Sequence, residues 1–160
     1  MIHLVGDGGH AKVVREVIHL QAGQHTWMDY TFIAIGNNES RKAESEHAPN
    51  LPPPPLIHPS AVVSKSAIIG NGTIIMAGAI VQTAVTIGRH VIINTGATVD
   101  HDCVIGDFAH IAPGVHLCGS VEVGEGALVG VGACAVPGVK IPAWSLVKAG
   151  TVAKCKILTQ

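Results

Sequence analysis

From Ile57 to Val152 apolar residues return every six positions. The first position of each hexad reads Ile57, Val63, Ile69, Ile75, Val81, Ile87, Ile93 and Val99, then Ile105, Ile111, Leu117, Val123, Val129, Ala135, Ile141 and Val147. Only Ala135 interrupts the larger aliphatics. The fifth position is small or β-branched throughout, from Ala61 to Thr151, and glycine recurs at the fourth, at Gly72, Gly78, Gly96, Gly114, Gly126, Gly132, Gly138 and Gly150. Six is neither the helical period nor simple alternation. It describes a short strand and then a corner at which glycine takes φ > 0 at little steric cost. The aliphatic residue and the small residue both point inward. This pattern predicts a parallel β-helix, in which each coil buries its face only against its neighbours. A Val- and Gly-rich sandwich would need hairpin turns at irregular spacing, and none is present.

The region before the hexads patterns differently. Residues 2–5 read as a short strand running into Gly6-Asp7-Gly8-Gly9-His10, and Val13, Val14, Val17 and Ile18 follow at helical spacing. Strand, glycine turn and helix open nucleotide-binding βαβ units, where the helix N-terminus receives a phosphate. The spacing is not GxGxxG, and the same turn also serves packing alone. Residues 31–35 read as a second buried strand ending at Gly36-Asn37-Asn38, and ligands of open parallel sheets sit beyond such strand ends. A polar helix is expected over roughly Glu39 to His47, and Pro52 to Pro55 form a stiff extended linker. The chain thus divides into an abbreviated βαβ domain (1–50), a proline linker (51–56), a β-helix (57–153) and a short tail (154–160). The first unit is too small for a core of its own and is expected to lean on the β-helix.

Composition narrows the function. A net charge of −1 with 13% charged residues gives no basic surface for nucleic acid. Apolar residues make up 48% without a run near the length of a membrane span, so no transmembrane helix is expected. Residues 1–5 lack a charged region and a long apolar stretch, so no signal peptide is expected either. Cys103, Cys118, Cys134 and Cys155 form no CxxC pair and read as free thiols of a reducing cytoplasm.

Ten histidines are sorted by their place in the hexad. His3, His19, His25 and His47 belong to no constellation and read as surface residues. His58, before Pro59, reads as structural, and His90 is expected to be a solvated corner residue. His101 stands apart in Asp100-His101-Asp102-Cys103, at a corner between two carboxylates. A carboxylate beside an imidazole fixes its tautomer and stabilises the imidazolium, as a general base requires. The bland alternative is an exposed corner with acids for solubility. One coil on, the Gly119 N–H is expected to lie above His101, as an oxyanion donor would. Cys103 takes an inward fifth position, which argues against a nucleophile. His110 lies one and a half hexads from His101 and so on a different edge; a symmetric trimer would bring one chain's edge to the next chain's corner.

Three stretches carry a family resemblance: Gly-Asp-Gly-Gly-His-Ala-Lys (6–12), Phe-Ile-Ala-Ile-Gly-Asn-Asn (32–38) and Leu-Ile-His-Pro-Ser-Ala (56–61) leading into hexads. Together they resemble the hexapeptide-repeat sugar acetyltransferases of the sialic-acid O-acetyltransferase type, whose relatives N-acetylate UDP-, GDP- or dTDP-linked 4-amino-sugars. The resemblance covers nearly the whole chain. It implies a mainly β protein: a left-handed parallel β-helix of hexapeptide repeats, roughly 18 residues per coil, preceded by a small, abbreviated α/β Rossmann-like domain. It implies acetyl-CoA as co-substrate, no metal, and a cytoplasmic homotrimer with active sites between subunits. His101 would be the base, oriented by Asp102. Gly8, Gly9, His10, Gly36 and Asn37 would hold the nucleotide sugar, with Asn94 close to the acceptor. His110, Gly119, Val131, Gly132, Ala149 and Gly150 would line the coenzyme.

The chain departs from that family in three places. The interval from Lys12 to Phe32 is short, and a further acidic strand is usual there. Pro52–Pro55 stand where another strand is expected, and no Gly-x-Pro-Ala-Lys/Arg stretch follows the hexads. An O-acetyltransferase acting on sialic acid or a small hydroxyl acceptor would look nearly identical. Two further classes remain. A zinc enzyme of the γ-carbonic-anhydrase kind would need three histidine ligands, for which His101, His110 and His116 have an unfavourable spacing. A non-catalytic trimeric scaffold would need none of this chemistry.

Overall fold

The computed structural model describes residues 2–20, 30–48 and 52–154. Asp29, His25, Cys155 and the rest of the tail lie outside these residues. The chain begins with β1 (Ile2–Val5), α1 (Gly9–Leu20), β2 (Tyr30–Ile33) and α2 (Asn38–His47). The two strands pair in parallel, Ile2 with Tyr30 and Val5 with Ile33. Both glycine turns therefore leave the same end of the sheet, as the sequence predicts. The second strand ends at Ile33, short of the expected Ile35. The second helix starts at Asn38, just before Glu39, because Asn37 caps it, its side-chain oxygen accepting from the Ser40 amide at 2.8 Å.

Short strands of two residues each follow, from β3 (Leu56–Ile57) to β19 (Val152–Ala153). Each pairs in parallel with the third strand after it, as in Leu56 with Ile74, Thr98 with His116 and Cys134 with Val152. One coil is thus three hexads, and the strands stack into three flat faces. The first face carries Leu56, Ile74, Ile92, His110, Leu128 and Leu146 outward. The second carries Val62, Ile80, Thr98, His116, Cys134 and Val152, and the third Ile68, Thr86, Val104, Glu122 and Lys140.

First- and fifth-position side chains fill the prism: Ile75, Ala79, Val85, Ile93, Ala97, Ile111, Val115 and Val129 are all fully buried. Burying each aliphatic contributes about 1.5–3 kcal/mol, so the period-six pattern is the source of the fold's stability. The fourth position is left-handed in every hexad from Gly72 to Gly150. Ala84, His90, Asp102, Phe108, Ser120 and Trp144 hold it there, with φ between 54 and 60°, where glycine is absent. A second steric rule recurs once per coil along the corner between the third and first faces. At Gly106 an added Cβ would come within 2.6 Å of the Glu125 amide nitrogen on the next coil, and Gly70, Gly88 and Gly124 are crowded in the same way.

The N-terminal unit leans on the prism, as its size requires. Ala11, Val14 and Val17, one stripe of α1, pack with Phe32 and Ala34 against Leu56, Ile74, Met76 and Ile92. The first face is therefore covered up to the level of His110. Among the described residues no helix is long and apolar enough to cross a membrane.

Candidate active site

His101 sits on the corner between the second and third faces. Its Nδ1 lies 2.7 Å from Asp102 Oδ2, and its backbone amide donates to Asp100 Oδ1 at 2.9 Å. The left-handed backbone at Asp102, φ 60°, turns the carboxylate back toward the ring it follows. The hydrogen bond with Asp102, then the charges of Asp100 and Asp102, raise the His101 pKa against some desolvation. The imidazole is more than half exposed, so it is open to a ligand. Gly119 lies against the ring: a Cβ there would fall 2.5 Å from His101 Cε1 and 2.7 Å from Nε2. The coil register therefore places Nε2 beside the Gly119 backbone, and no side chain other than glycine's hydrogen fits between them. Cys103 is fully buried, its thiol donating to the Cys118 carbonyl at 3.1 Å, and burial raises its pKa.

A second cluster forms where the N-terminal unit meets the first face. The turns carrying His10 and Gly36 lie side by side, with a Cβ on Gly36 placed 3.9 Å from that of His10. His110 lies beneath them, its Nε2 3.0 Å from Asn94 Nδ2. His10, Gly36, Asn94 and His110 are thus brought together within one chain. His101 and Gly119 lie on another edge, as one and a half hexads dictate.

Two residues at this junction were not singled out by the sequence. Arg41, only 1% exposed, runs from α2 into the prism. Its Nε donates to the His90 carbonyl at 2.8 Å, Nη1 to Ile35 and Gly36 carbonyls at 3.0 and 3.2 Å, and Nη2 to the Phe108 carbonyl at 2.6 Å. Asn38, one turn earlier on the same helix face, donates to the Gly126 carbonyl at 3.0 Å and accepts from Arg41 at 2.9 Å. The expected polar helix thus buries one face. The i, i+3 spacing of Asn38 and Arg41 after the Gly36 turn is the signal that was present.

His90 corrects the sequence reading. It is not a solvated corner but is buried, lying against Gly72 and stacked on Phe108 with ring centroids 5.3 Å apart. The packing of α2 across this corner removes it from water. Lys42 of the same helix reaches over the Phe108 and Trp144 rings and pairs with Glu125 at 2.8 Å. His116 meets Thr98 Oγ1 at 2.9 Å, and among the described residues no three His, Cys, Asp or Glu side chains gather as metal ligands.

Residues 66–101 match the bacterial transferase hexapeptide (six repeats) family. UDP-N-acetylbacillosamine N-acetyltransferase of Bacillus subtilis (strain 168) is 43% identical over a stretch covering 48% of this chain and 51% of that protein. The match thus spans about half the length of this curated relative. The acetyltransferase domain of PglB from Neisseria gonorrhoeae FA1090, solved with acetyl coenzyme A, is 35% identical with a TM-score of 0.88, covering 96% of this chain and 90% of its own. The chain belongs to the hexapeptide-repeat sugar acetyltransferases. PerB from Caulobacter crescentus, solved with CoA and GDP-perosamine, is 36% identical with a TM-score of 0.88, covering 96% and 88% of the two chains. The coil is the left-handed β-helix of this acetyltransferase family.

The remaining residues that the resemblance to these acetyltransferases implies fall into two groups. Val131, Gly132, Ala149 and Gly150 stand exposed on the corner between the first and second faces, directly up the edge from Asn94. Gly8 and Gly9 leave open space at the start of α1, whereas the Asn37 side chain is occupied as the helix cap.

Three histidines, His90 buried and His10 and His110 half-buried, set an acid limit on the stability of the fold. Burial first, and Arg41 second, lower His10, His90 and His110 from 6.5 to about 4 each. The folded state keeps them neutral, while the unfolded chain takes up their protons near pH 6.5. Their contribution is therefore complete above 6.5 and is lost as pH falls toward 4, with a slope of at most about 1.4 kcal/mol per pH unit for each histidine. Urea midpoints measured from neutral pH downward are expected to stay level to about 6.5 and then fall.

Proposed function

We propose that the protein transfers the acetyl group of acetyl-CoA to the amine of a nucleotide-linked 4-amino-sugar. The observation that carries this reading is the His101–Asp102 pair set against the Gly119 backbone. His101 Nε2 takes a proton as the neutral amine attacks the thioester carbon. Asp102, bonded to Nδ1, fixes the tautomer that leaves Nε2 free and stabilises the imidazolium that forms. The Gly119 N–H holds the oxyanion, a term worth about 3–4 kcal/mol when such a donor is removed elsewhere. The attack forms the C–N bond, collapse of the tetrahedral intermediate breaks the C–S bond, and the CoA thiolate leaves with the proton from His101. No covalent enzyme intermediate is needed.

The two clusters lie on different edges of one prism, so a complete site requires a second copy. In a homotrimer the His101 corner of one subunit faces the His10–Gly36–Asn94–His110 edge of the next, with the coenzyme along Val131, Gly132, Ala149 and Gly150. Gly8, Gly9 and His10 at the start of α1 then receive the nucleotide phosphates. PglB solved with acetyl coenzyme A and PerB solved with GDP-perosamine support these assignments by likeness. Both substrates are cytoplasmic metabolites, so the reaction belongs to that compartment.

A thiol-release assay with acetyl-CoA against UDP-, dTDP- and GDP-linked 4-amino-4,6-dideoxy sugars, sialic acid and serine tests the reading. Turnover on one nucleotide amino-sugar supports it. Turnover only on sialic acid or serine replaces it with O-acetylation. Silence across the panel, with no coenzyme binding by calorimetry, leaves a scaffold.

A further inference from the structure

A cavity of about 240 Å³ opens on the second face, directly beside the His101 corner. Its wall carries Ile80, Gln82, Thr98, Asp100, His116 and Cys118. Asp100 immediately precedes His101 and Cys118 immediately precedes Gly119, so the cavity borders both the ring and the glycine packed against it. The cavity of the third face does not. It reaches from Val104 to Gly106, Gly124 and Pro142, toward the corner with the first face, and takes in no residue of the His101 corner. Pockets that enclose drug-sized ligands measure roughly 300–1,000 Å³. The second-face cavity is smaller and suits a single ring.

Its side chains stack as one column, Ile80 below Thr98 below His116. Thr98 Oγ1 lies 2.9 Å from His116 Nδ1, and the His116 ring is exposed. Either tautomer of the neutral ring makes the same offer to a ligand. With the Thr98 hydroxyl donating, Nε2 carries the ring proton outward and Thr98 Oγ1 keeps a free lone pair. With Nδ1–H donating, Nε2 is an acceptor and the Thr98 hydroxyl turns its hydrogen outward. The pair therefore presents one donor and one acceptor side by side, the complement of two neighbouring hydroxyl or acylamino groups. Ile80 gives an apolar floor for the C–H face of the ring that bears them.

We propose that this cavity seats the sugar ring of the acceptor, with Thr98 and His116 as specificity-determining residues that read two adjacent substituents of the ring. The placement rests on the acetyl-transfer reading above and names where its acceptor lies. His101 Nε2 takes the amine proton only at hydrogen-bond distance, about 2.6–3.2 Å, so the ring bearing that amine has to lie against this corner. In the same reading the neighbouring copy holds the coenzyme along its Val131 and Ala149 edge and the nucleotide at its His10 and Gly36 turns. The second face of the copy that supplies His101 is left to the sugar.

Thr98→Val and His116→Ala test the placement, since both side chains point out of the prism and their loss leaves its core intact. Each variant is expected to raise KM for the nucleotide amino-sugar turned over in the thiol-release assay by roughly 3- to 10-fold, the loss of one neutral hydrogen bond. KM for acetyl-CoA is expected to stay the same. Affinity for the matching nucleoside diphosphate, measured by calorimetry, should also hold, because that ligand lacks the ring; a merely structural role would weaken it as well. An unchanged sugar KM in either variant overturns the placement and leaves acetyl transfer standing. A rise in the acetyl-CoA KM alone does the same and gives the cavity to the coenzyme. An unaltered protein that neither turns over nor binds any nucleotide sugar would sink the acetyl-transfer reading, and this placement with it.

Discussion

His101→Ala is expected to lower kcat by about 100- to 10,000-fold, the range supplied by a positioned general base, or about 3–5 kcal/mol of barrier. Acetyl-CoA affinity by calorimetry is expected to stay the same, because the ring faces the reacting atoms and not the body of the coenzyme. The pH profile separates a base from a merely structural corner. His101 must be neutral to accept a proton, and its bond to Asp102 raises its pKa above 6.5. The acid limb of kcat/KM is therefore expected above 6.5 and should move down in Asp102→Asn, with a loss of kcat. Gly119→Ala is expected to act on the same step from the neighbouring coil, since its Cβ needs the space that the ring fills. A His101→Ala enzyme with unaltered turnover would remove the base from this corner.

The second large effect is expected at Arg41. Arg41→Ala strands the carbonyls of His90 and Phe108 in a buried site, and an unsatisfied buried acceptor costs about 1–3 kcal/mol. With two such acceptors the loss, on the order of 2–6 kcal/mol, falls on the docking of the N-terminal unit. Each coil of the prism keeps its own ladders of hydrogen bonds, whereas β1 and β2 make a two-stranded sheet that depends on the first face. Limited proteolysis and hydrogen exchange should therefore show residues 2–48 opening while residues 56–153 stay protected. A single cooperative loss of the whole molecule would mean that the junction is not the weak point.

How much of this was legible follows from what the sequence repeats. Period six set the inward positions, and its triple set which residues stack, so His101 could be paired with Gly119 before any coordinates. The parallel strands and their shared glycine end could be read from two short apolar runs. His90 could not, because its burial comes from α2, a helix far earlier in the chain that crosses that one corner; its hexad position matches that of exposed residues. Arg41 was hidden for the opposite reason. A helix of Glu, Ser, Arg and Lys reads as solvated, and only the prism supplies the carbonyls that make a buried guanidinium tolerable. The crowded column of Gly70, Gly88, Gly106 and Gly124 was present in the letters. Its recurrence once per coil lay inside a stronger recurrence once per hexad.

The three-hexad register makes chain length a quantised property of this fold. Removing residues 116–133, one whole coil, would leave every face with its own partners and merely shorten the prism. Removing only the hexad 128–133 would turn all that follows by one face. Trp144 would then leave the corner where Lys42 of α2 meets it, and the third-face pair of Glu122 and Lys140 would be split. Related chains with prisms of different height are therefore expected to differ by whole coils, with any other insertion extruded as a loop at a corner.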